Sequence, residues 1–336
     1  MFFPQTYQIA LLLMVLTMLC WGSWANTLKL CPGYRFQLFY WDYALGLFAG
    51  AVFWGLTAGS HGTTGTPFFA DAVQAPVASI LFAVLGGIIF NIANLLLVAA
   101  IEVAGLAVAF PVGIGLALIV GAVSSYLVRP AGNPLLLFGG VALVTVAIVL
   151  DARAYRTREG VGKAKARTAT TRGIALSLSA GLLMGTFYPL VAAALRGAPG
   201  VPAVGPYAVS LFFAMGVLLS TVPANFYLMV KPLDGKPRVA GSGYWLAPFR
   251  FHIAGLLGGV IWSTGAVANF VASGAHLVGP AVSYSIGQGA TMISACWGVF
   301  VWREFAGAPA AANRLLAWMF LFFALGLVAV ALAPLY

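Results

Sequence analysis

The chain has 336 residues, of which 62% are hydrophobic and 7% charged, and its formal net charge is +10. Ordinary globular domains are about half apolar and a quarter charged, so this composition excludes a water-soluble enzyme and assigns the positive charge to loops at a membrane rather than to nucleic acid. Three cysteines, Cys20, Cys31 and Cys296, lack paired spacing, which argues against a disulfide framework or a metal site.

A bilayer core takes roughly 20 apolar residues per helix. The apolar runs predict ten spans, at about 7–28, 38–59, 76–100, 103–128, 134–151, 172–195, 205–230, 250–272, 278–302 and 312–334. The expected fold is thus an all-α polytopic membrane protein. No small-residue cleavage site follows the first run, so it reads as a span rather than a leader. That span carries Trp21 and Trp24. Such flat rings stack on planar or sugar-like solutes and offer an N–H donor, although they also pack helices.

The second span opens with Asp42, one of seven acids in the chain, among Phe39, Tyr40, Trp41 and Tyr43. Two readings stand: a proton acceptor desolvated by its aromatic neighbours, or an acid at a helix start paired with Lys29 or Arg35. The third span holds Asn91 and Asn94, three apart and on one helix face. Their amides both donate and accept, which suits a neutral ligand, as it would suit helix–helix contact. A tight turn at Glu102 joins the third span to the fourth, where Pro111, with Gly113 and Gly115, would loosen the helix toward a cavity. A basic linker, 152–171, follows the fifth span; it fixes topology or meets anionic lipid.

The sixth span contributes Tyr188, and the eighth Trp262 and Asn269; Asn26 is a weaker candidate of the same kind. His252 and His276 sit near span ends. The ninth span carries Tyr284, Ser285 and Gln288, with Tyr284 and Gln288 one turn apart. Placing the N-terminus outside leaves only Arg129 and Arg196, of seventeen basic residues, on the outer side; the positive-inside rule then sets both termini outside.

Two passages repeat. "GLAVAFPVGIG" (105–115) parallels "GPAVSYSIGQG" (279–289), and "LGGIIF" (85–90) parallels "LGGVIW" (257–262). Their order implies a five-helix unit, 1–151, duplicated as 172–336. An odd number of spans inverts the second copy, as in many transporters. Gln288 stands where the first unit has Ile114, a departure that symmetric scaffolding does not require. No Lys or Arg falls in mid-span, so the expected substrate is neutral.

The segments "GSWANTLKL", "YWDYALGLFAG", "GGIIFNIANLL", "GLAVAFPV" and "GQGATMISACWGVFVWREF", in this order along nearly the whole chain, resemble the ureide permeases of the drug/metabolite transporter superfamily. The glucose/ribose porters are similar in architecture. The resemblance implies ten helices around a cavity between spans 1, 3, 4, 6, 8 and 9. It also implies proton-linked uptake of allantoin, uracil and related ring amides, or of sugars. Tyr40, Asp42, Tyr43 and Gln288 match its pattern; the acid that precedes the glutamine by three in the plant pattern is Ser285 here.

The sequence therefore points to a secondary carrier, not an enzyme, in the cell membrane (the inner membrane in a bacterium). It would take a small neutral polar substrate, a sugar or a ureide or nucleobase, with the proton as coupling ion. No cofactor, metal or nucleic acid is expected, and the protein would work in membrane lipid as a monomer or homodimer. Substrate binding is assigned to Trp21, Trp24, Asn91, Asn94, Tyr188, Trp262, Tyr284 and Gln288, and proton coupling to Asp42. A passive channel or an exporter of drug-like solutes is the alternative.

Overall fold

A computed structural model describes residues 1–62, 64–104, 106–159, 171–197, 203–233, 236–275 and 277–336. His276 and the basic residues Lys163, Lys165 and Arg167 lie outside the described residues, as do the side chains of Glu102 and Pro111. Among the described residues every regular element is helical. The helices are α1 Tyr7–Ser23, α2 Asn26–Lys29, α3 Phe36–Leu56, α4 Phe68–Gln74, α5 Val77–Ala104, α6 Leu106–Val128 and α7 Pro134–Glu159. They continue with α8 Thr171–Arg196, α9 Pro206–Val230, α10 Ser242–Trp245, α11 Phe249–Gly274, α12 Pro280–Gly287, α13 Ala290–Cys296 and α14 Ala310–Leu332.

Local chemistry sets several of these bounds. Thr6 caps α1 through its side chain, which accepts from the Ile9 N–H. The starts of α9 and α12 place Pro206 and Pro280 just inside the helix, where the missing N–H has no helical partner to lose. The outward faces are apolar: Leu12, Leu135, Leu219 and Trp318 are exposed. Water would not tolerate patches of that extent; hydrocarbon does.

Seven helical segments are long and apolar enough to cross a membrane: Tyr7–Lys29, Val77–Ile101, Pro134–Arg158, Thr171–Arg196, Pro206–Val230, Phe249–Gly274 and Ala310–Leu335. The expected count of ten is not reached on that measure, and each shortfall has a physical cause. The first turns of α3 carry Tyr40, Trp41, Asp42 and Tyr43, which lower its apolar character. In the fourth expected span, Val112–Val128 is a shorter apolar helix. The ninth is broken into α12, α13 and a π-helical turn, Trp297–Val301. The fifth helix also runs farther than expected, so that Arg153, Arg156 and Arg158 stand on its last turns rather than in a loop.

The bundle has two ends. At the terminal face the Phe2 N–H donates to Ala58 O (2.8 Å) and the Asn133 N–H to Ala333 O (2.7 Å). At the opposite, basic face Glu304 is a hub. It pairs with Lys29 at 2.7 Å and with Arg158 at 3.6 Å, and accepts from the Tyr155 hydroxyl at 2.9 Å. Burial pulls the Glu304 carboxyl upward. Hydrogen bonds from Lys29 and Tyr155 and the charges of Lys29 and Arg158 outweigh it, holding the group below the ordinary glutamate value.

Helix pairing is dominated by α5 on α8 and α9, α6 on α8, α7 and α12, α3 on α11 and α9, α1 on α11 and α13, and α7 on α14. Two crossings are so close that backbone meets backbone. A Cβ on Gly46 or Gly259 would run into the carbonyl of Leu256 or Tyr43, between α3 and α11. One on Gly87 or Gly216 would run into that of Phe213 or Val84, between α5 and α9. Without water to drive helices together, such small-residue contacts carry much of the packing.

Gly87→Val is expected to lower stability by about 1–3 kcal/mol or more through overpacking, measured by thermal unfolding in detergent. Gly139→Ala, where a Cβ meets nothing, should be neutral or slightly stabilising, by up to about 1 kcal/mol. Because the Glu304 carboxyl lies lower in the folded than in the unfolded chain, its stabilisation is present above the unfolded value and fades as pH falls through the folded one. Wild type should therefore lose more stability than Glu304→Gln on acidification below pH 4.5.

Candidate functional site

The site begins at the break in the ninth expected span. The chain leaves α12 at Gly287, turns through Gln288 and Gly289, and resumes as α13. Gln288 thus sits on a turn rather than a helix face. It is 9% exposed, and among the described residues its amide makes no hydrogen bond. It borders a cavity of about 350 Å³, within the roughly 300–1,000 Å³ common to small-molecule sites.

Walls of the cavity come from α1 and the residue that follows it (Trp21, Trp24), α5 (Phe90, Asn94), α6 (Ile114), α8 (Met184, Phe187), α11 (Trp262) and α13 (Thr291, Ser294). Leu28, Phe36 and Ile101 line the part nearer the basic face. Among the described residues, no lining side chain is charged. One wall is a stack of rings. Trp21 lies on Trp262 at 5.5 Å and 14°, and Trp262 lies on Phe213 at 5.9 Å and 10° with Phe90 4.3 Å away. The Trp21 N–H is already used, donating to Trp262 O at 3.3 Å.

Facing the rings, Asn94 is fixed by a buried knot. Its Nδ2 donates to the Tyr40 hydroxyl at 3.1 Å, and that hydroxyl donates to Asn91 Oδ1 at 2.7 Å. Asn91 Oδ1 also accepts from Thr221 at 3.3 Å, and Asn91 Nδ2 donates to Ser220 at 2.9 Å. Asn91 is thereby satisfied within the protein and does not line the cavity, whereas Asn94 keeps an amide oxygen without a partner among the described residues. Buried polar groups are nearly always paired. Asn94 Oδ1 and the Gln288 amide both border the cavity without a protein partner among the described residues.

Of the other residues expected at the site, Trp21, Trp24 and Trp262 line the cavity together with Asn94 and Gln288. Tyr188 and Tyr284 do not. Tyr188 donates to Asn269 Oδ1, and Tyr284 donates to Ala117 O at 3.1 Å and Met184 O at 3.4 Å. Sequence reading missed Phe90, Phe187 and Thr291; only their place opposite other expected spans could have flagged them.

Asp42 is 3% exposed and lies away from the cavity lining. Neither basic residue expected to partner it does so: Lys29 pairs with Glu304 instead. Its Oδ1 accepts from the Tyr244 hydroxyl at 2.6 Å, and its Oδ2 lies 2.8 Å from His252 Nδ1. The physical reason is the α3–α11 crossing. Gly255 on α11 leaves room for the Asp42 side chain, and His252, one turn earlier, reaches its carboxylate.

Comparison with known proteins fits this architecture. The family model described as "Ureide permease" matches residues 39–172. Ureide permease 2 of Arabidopsis thaliana is 24% identical and the alignment covers 91% of this chain and 92% of that protein. Ureide permease 1 of the same plant is 23% identical over 94% of each. A solved crystal structure superposes with a TM-score of 0.61 at 16% identity, covering 95% of this chain and 96% of that one; at that identity the likeness concerns the fold alone. The chain is a multi-pass membrane transporter similar to the ureide permeases.

Tyr40→Phe leaves Asn91 Oδ1 and Asn94 Nδ2 each short of a partner and should lower stability by about 1–3 kcal/mol. Gln288→Leu removes no bond and should leave stability unchanged or raise it. Thermal unfolding of the two variants in detergent tests the pair.

Proposed function

We propose that the protein is a secondary carrier that moves a small neutral ring amide, of ureide or nucleobase type, together with protons. The observation that carries this reading is the pair of unpaired amides, Asn94 and Gln288, beside a ring stack in a cavity without charge. A planar ring lies against Trp21 and Trp262, while its C=O and N–H groups meet the two amides. The names of the relatives agree with a ureide.

We read the helices as ten spans in two five-helix units of opposite orientation, with the termini outside and residues 152–171 as the joint. The units are α1, α3, α5, α6 and α7, then α8, α9, α11, α12–α13 and α14. Exchanging the units carries each main helix pairing onto another. α3 on α11 becomes α9 on α5, α1 on α11 becomes α8 on α5, and α7 on α14 maps to itself. The close-approach glycines Gly87 and Gly259 are the matching second glycines of the two LGG passages. The broken ninth span supports the same reading, since discontinuous helices hold substrates in many carriers.

Proton coupling is assigned to Asp42. A carboxylate buried at a helix crossing, with His252 and Tyr244 as its hydrogen-bond partners, can take up a proton without leaving an unpaired charge. The same turn of α3 touches the site. Tyr40 holds Asn94, and the Tyr43 ring lies 4.6 Å from that of Trp24.

Uptake into proteoliposomes of allantoin, uracil, ribose and glucose, with and without an inward proton gradient, tests the reading. The expected result is uphill accumulation of a ring amide only with the gradient. Asp42→Asn should cut that accumulation by about tenfold or more while counterflow exchange persists, and Gln288→Leu should raise KM by about tenfold, the scale of one lost hydrogen bond. Gradient-driven uptake of the sugars alone, or undiminished accumulation by Asp42→Asn, overturns the corresponding assignment.

A further inference from the structure

Tyr188, Asn269, Ser283 and Tyr284 form a cluster that the cavity does not use. Asn269 lies about 10 Å beyond Trp262 along α11, and Ser283 about 7 Å before Gln288, at the usual helical rise. Both displacements run toward the terminal face. The cluster fills the bundle between the cavity and that face, and all four side chains are buried.

Its bonds cross between the two walls of the cavity. Tyr188 on α8 donates to Asn269 Oδ1 on α11. Asn269 Nδ2 donates to Ser283 O at 3.0 Å, and Ser283 Oγ donates to Asn269 O at 3.1 Å, which ties α11 to α12. Tyr284 on α12 donates to the carbonyls of Ala117 on α6 and Met184 on α8. Its ring lies 5.0 Å from that of Tyr188, and Gly121 is bare where a Cβ would strike it. One wall (α11, α12) is thus bonded to the other (α6, α8).

The opposite side of the cavity differs. Leu28, Leu97, Val98 and Ile101, toward the basic face, are apolar and line the cavity itself. Among the described residues, no side-chain hydrogen bond on that side joins α1, α11 or α13 to α5, α6 or α8. The polar contacts of the basic face hold helices elsewhere: the ion pairs of Glu304 join the ends of α2 and α7, and the Asp42–His252 hydrogen bond joins α3 to α11.

We infer that Tyr188, Asn269, Ser283 and Tyr284 are a hydrogen-bonded lock on the terminal-side gate, which biases the resting carrier toward the state open to the basic face. This inference rests on the carrier reading above. A buried amide or hydroxyl that loses its partner in hydrocarbon is expensive, so opening toward the terminal face must break the lock and reseat its polar groups. Between the same two walls, opening toward the basic face parts the apolar contacts of Leu28, Leu97, Val98 and Ile101; the Tyr40 bonds to Asn91 and Asn94 join α3 to α5 instead. These residues therefore set which state the empty protein occupies rather than touching the solute.

Side-specific labelling tests the lock. Cys20, Cys31 and Cys296 are replaced by Ala, and a reporter is placed by Ala266→Cys, buried on α11 between Trp262 and the lock, or by Val98→Cys at the cavity. A membrane-impermeant maleimide is applied to sealed proteoliposomes from each face in turn. Asn269→Leu and Tyr188→Phe should raise the labelling rate of Ala266→Cys from the terminal face by about tenfold, and lower that of Val98→Cys from the basic face. The reciprocal change separates a shifted gate from simple loosening, which raises both rates. Unchanged rates, or rates that rise together, overturn the proposal. No solute is needed, so failure of the ureide reading shows up separately, as absent uptake in a protein whose reporters still shift.

Discussion

The Tyr40 hydroxyl, held between Asn91 and Asn94, decides which polar groups of α5 are closed off and which remain open. In hydrocarbon an unpaired amide has no water to turn to, so at the cavity it matters which amide groups are bonded to protein and which stay open. Asn91 belongs to the first kind. Asn94, with one N–H held and its oxygen open, belongs to the second. The same distinction separates other residues near the cavity. Asn269 and Tyr284 are bonded on every side that the helices present, while Gln288, lifted off the helix by the break at Gly287, is bonded on none.

This sorting explains how a chain with so few charges can be selective. In the proposed reading the cavity supplies a flat apolar stack for a ring and two amides for its edge, and among the described residues its lining carries no charge. Glu304 holds helix ends at the basic face, and Asp42 is bonded to Tyr244 and His252 at the α3–α11 crossing. Tyr40 and Tyr43, on the same turn as Asp42, reach Asn94 and Trp24. These contacts connect the α3–α11 crossing directly to side chains that line the cavity.

Much of this was legible in the sequence because membrane constraints are coarse. Apolar run length located the long helices, and the scarcity of polar residues within them made Asn94, Gln288 and the tryptophans conspicuous. What periodicity could not say was which polar residue faces which neighbour. Asn91 and Asn94 share a helix face, yet only contacts from α3 and α9 separate a bonded amide from an open one. The partner of Asp42 lay 210 positions away, at His252. Nearby basic residues were the natural guess, but the helix crossing that admits the pair depends on Gly255. The break in the ninth span was hidden too, since "SYSIGQGATM" contains no proline and its glycines are common in this chain.

The direct measure of the central claim is the affinity of the purified protein for a five-membered ring ureide against its fully N-methylated analogue, by calorimetry in detergent. The methyl groups leave the ring face and its stacking in place but remove every N–H that Asn94 and Gln288 would meet. Sites built on buried hydrogen bonds reject analogues that lack the donor by large factors. The account predicts that methylation weakens binding by at least about a hundredfold. Equal affinity for the two compounds would contradict it, because the ring stack alone would then be the site.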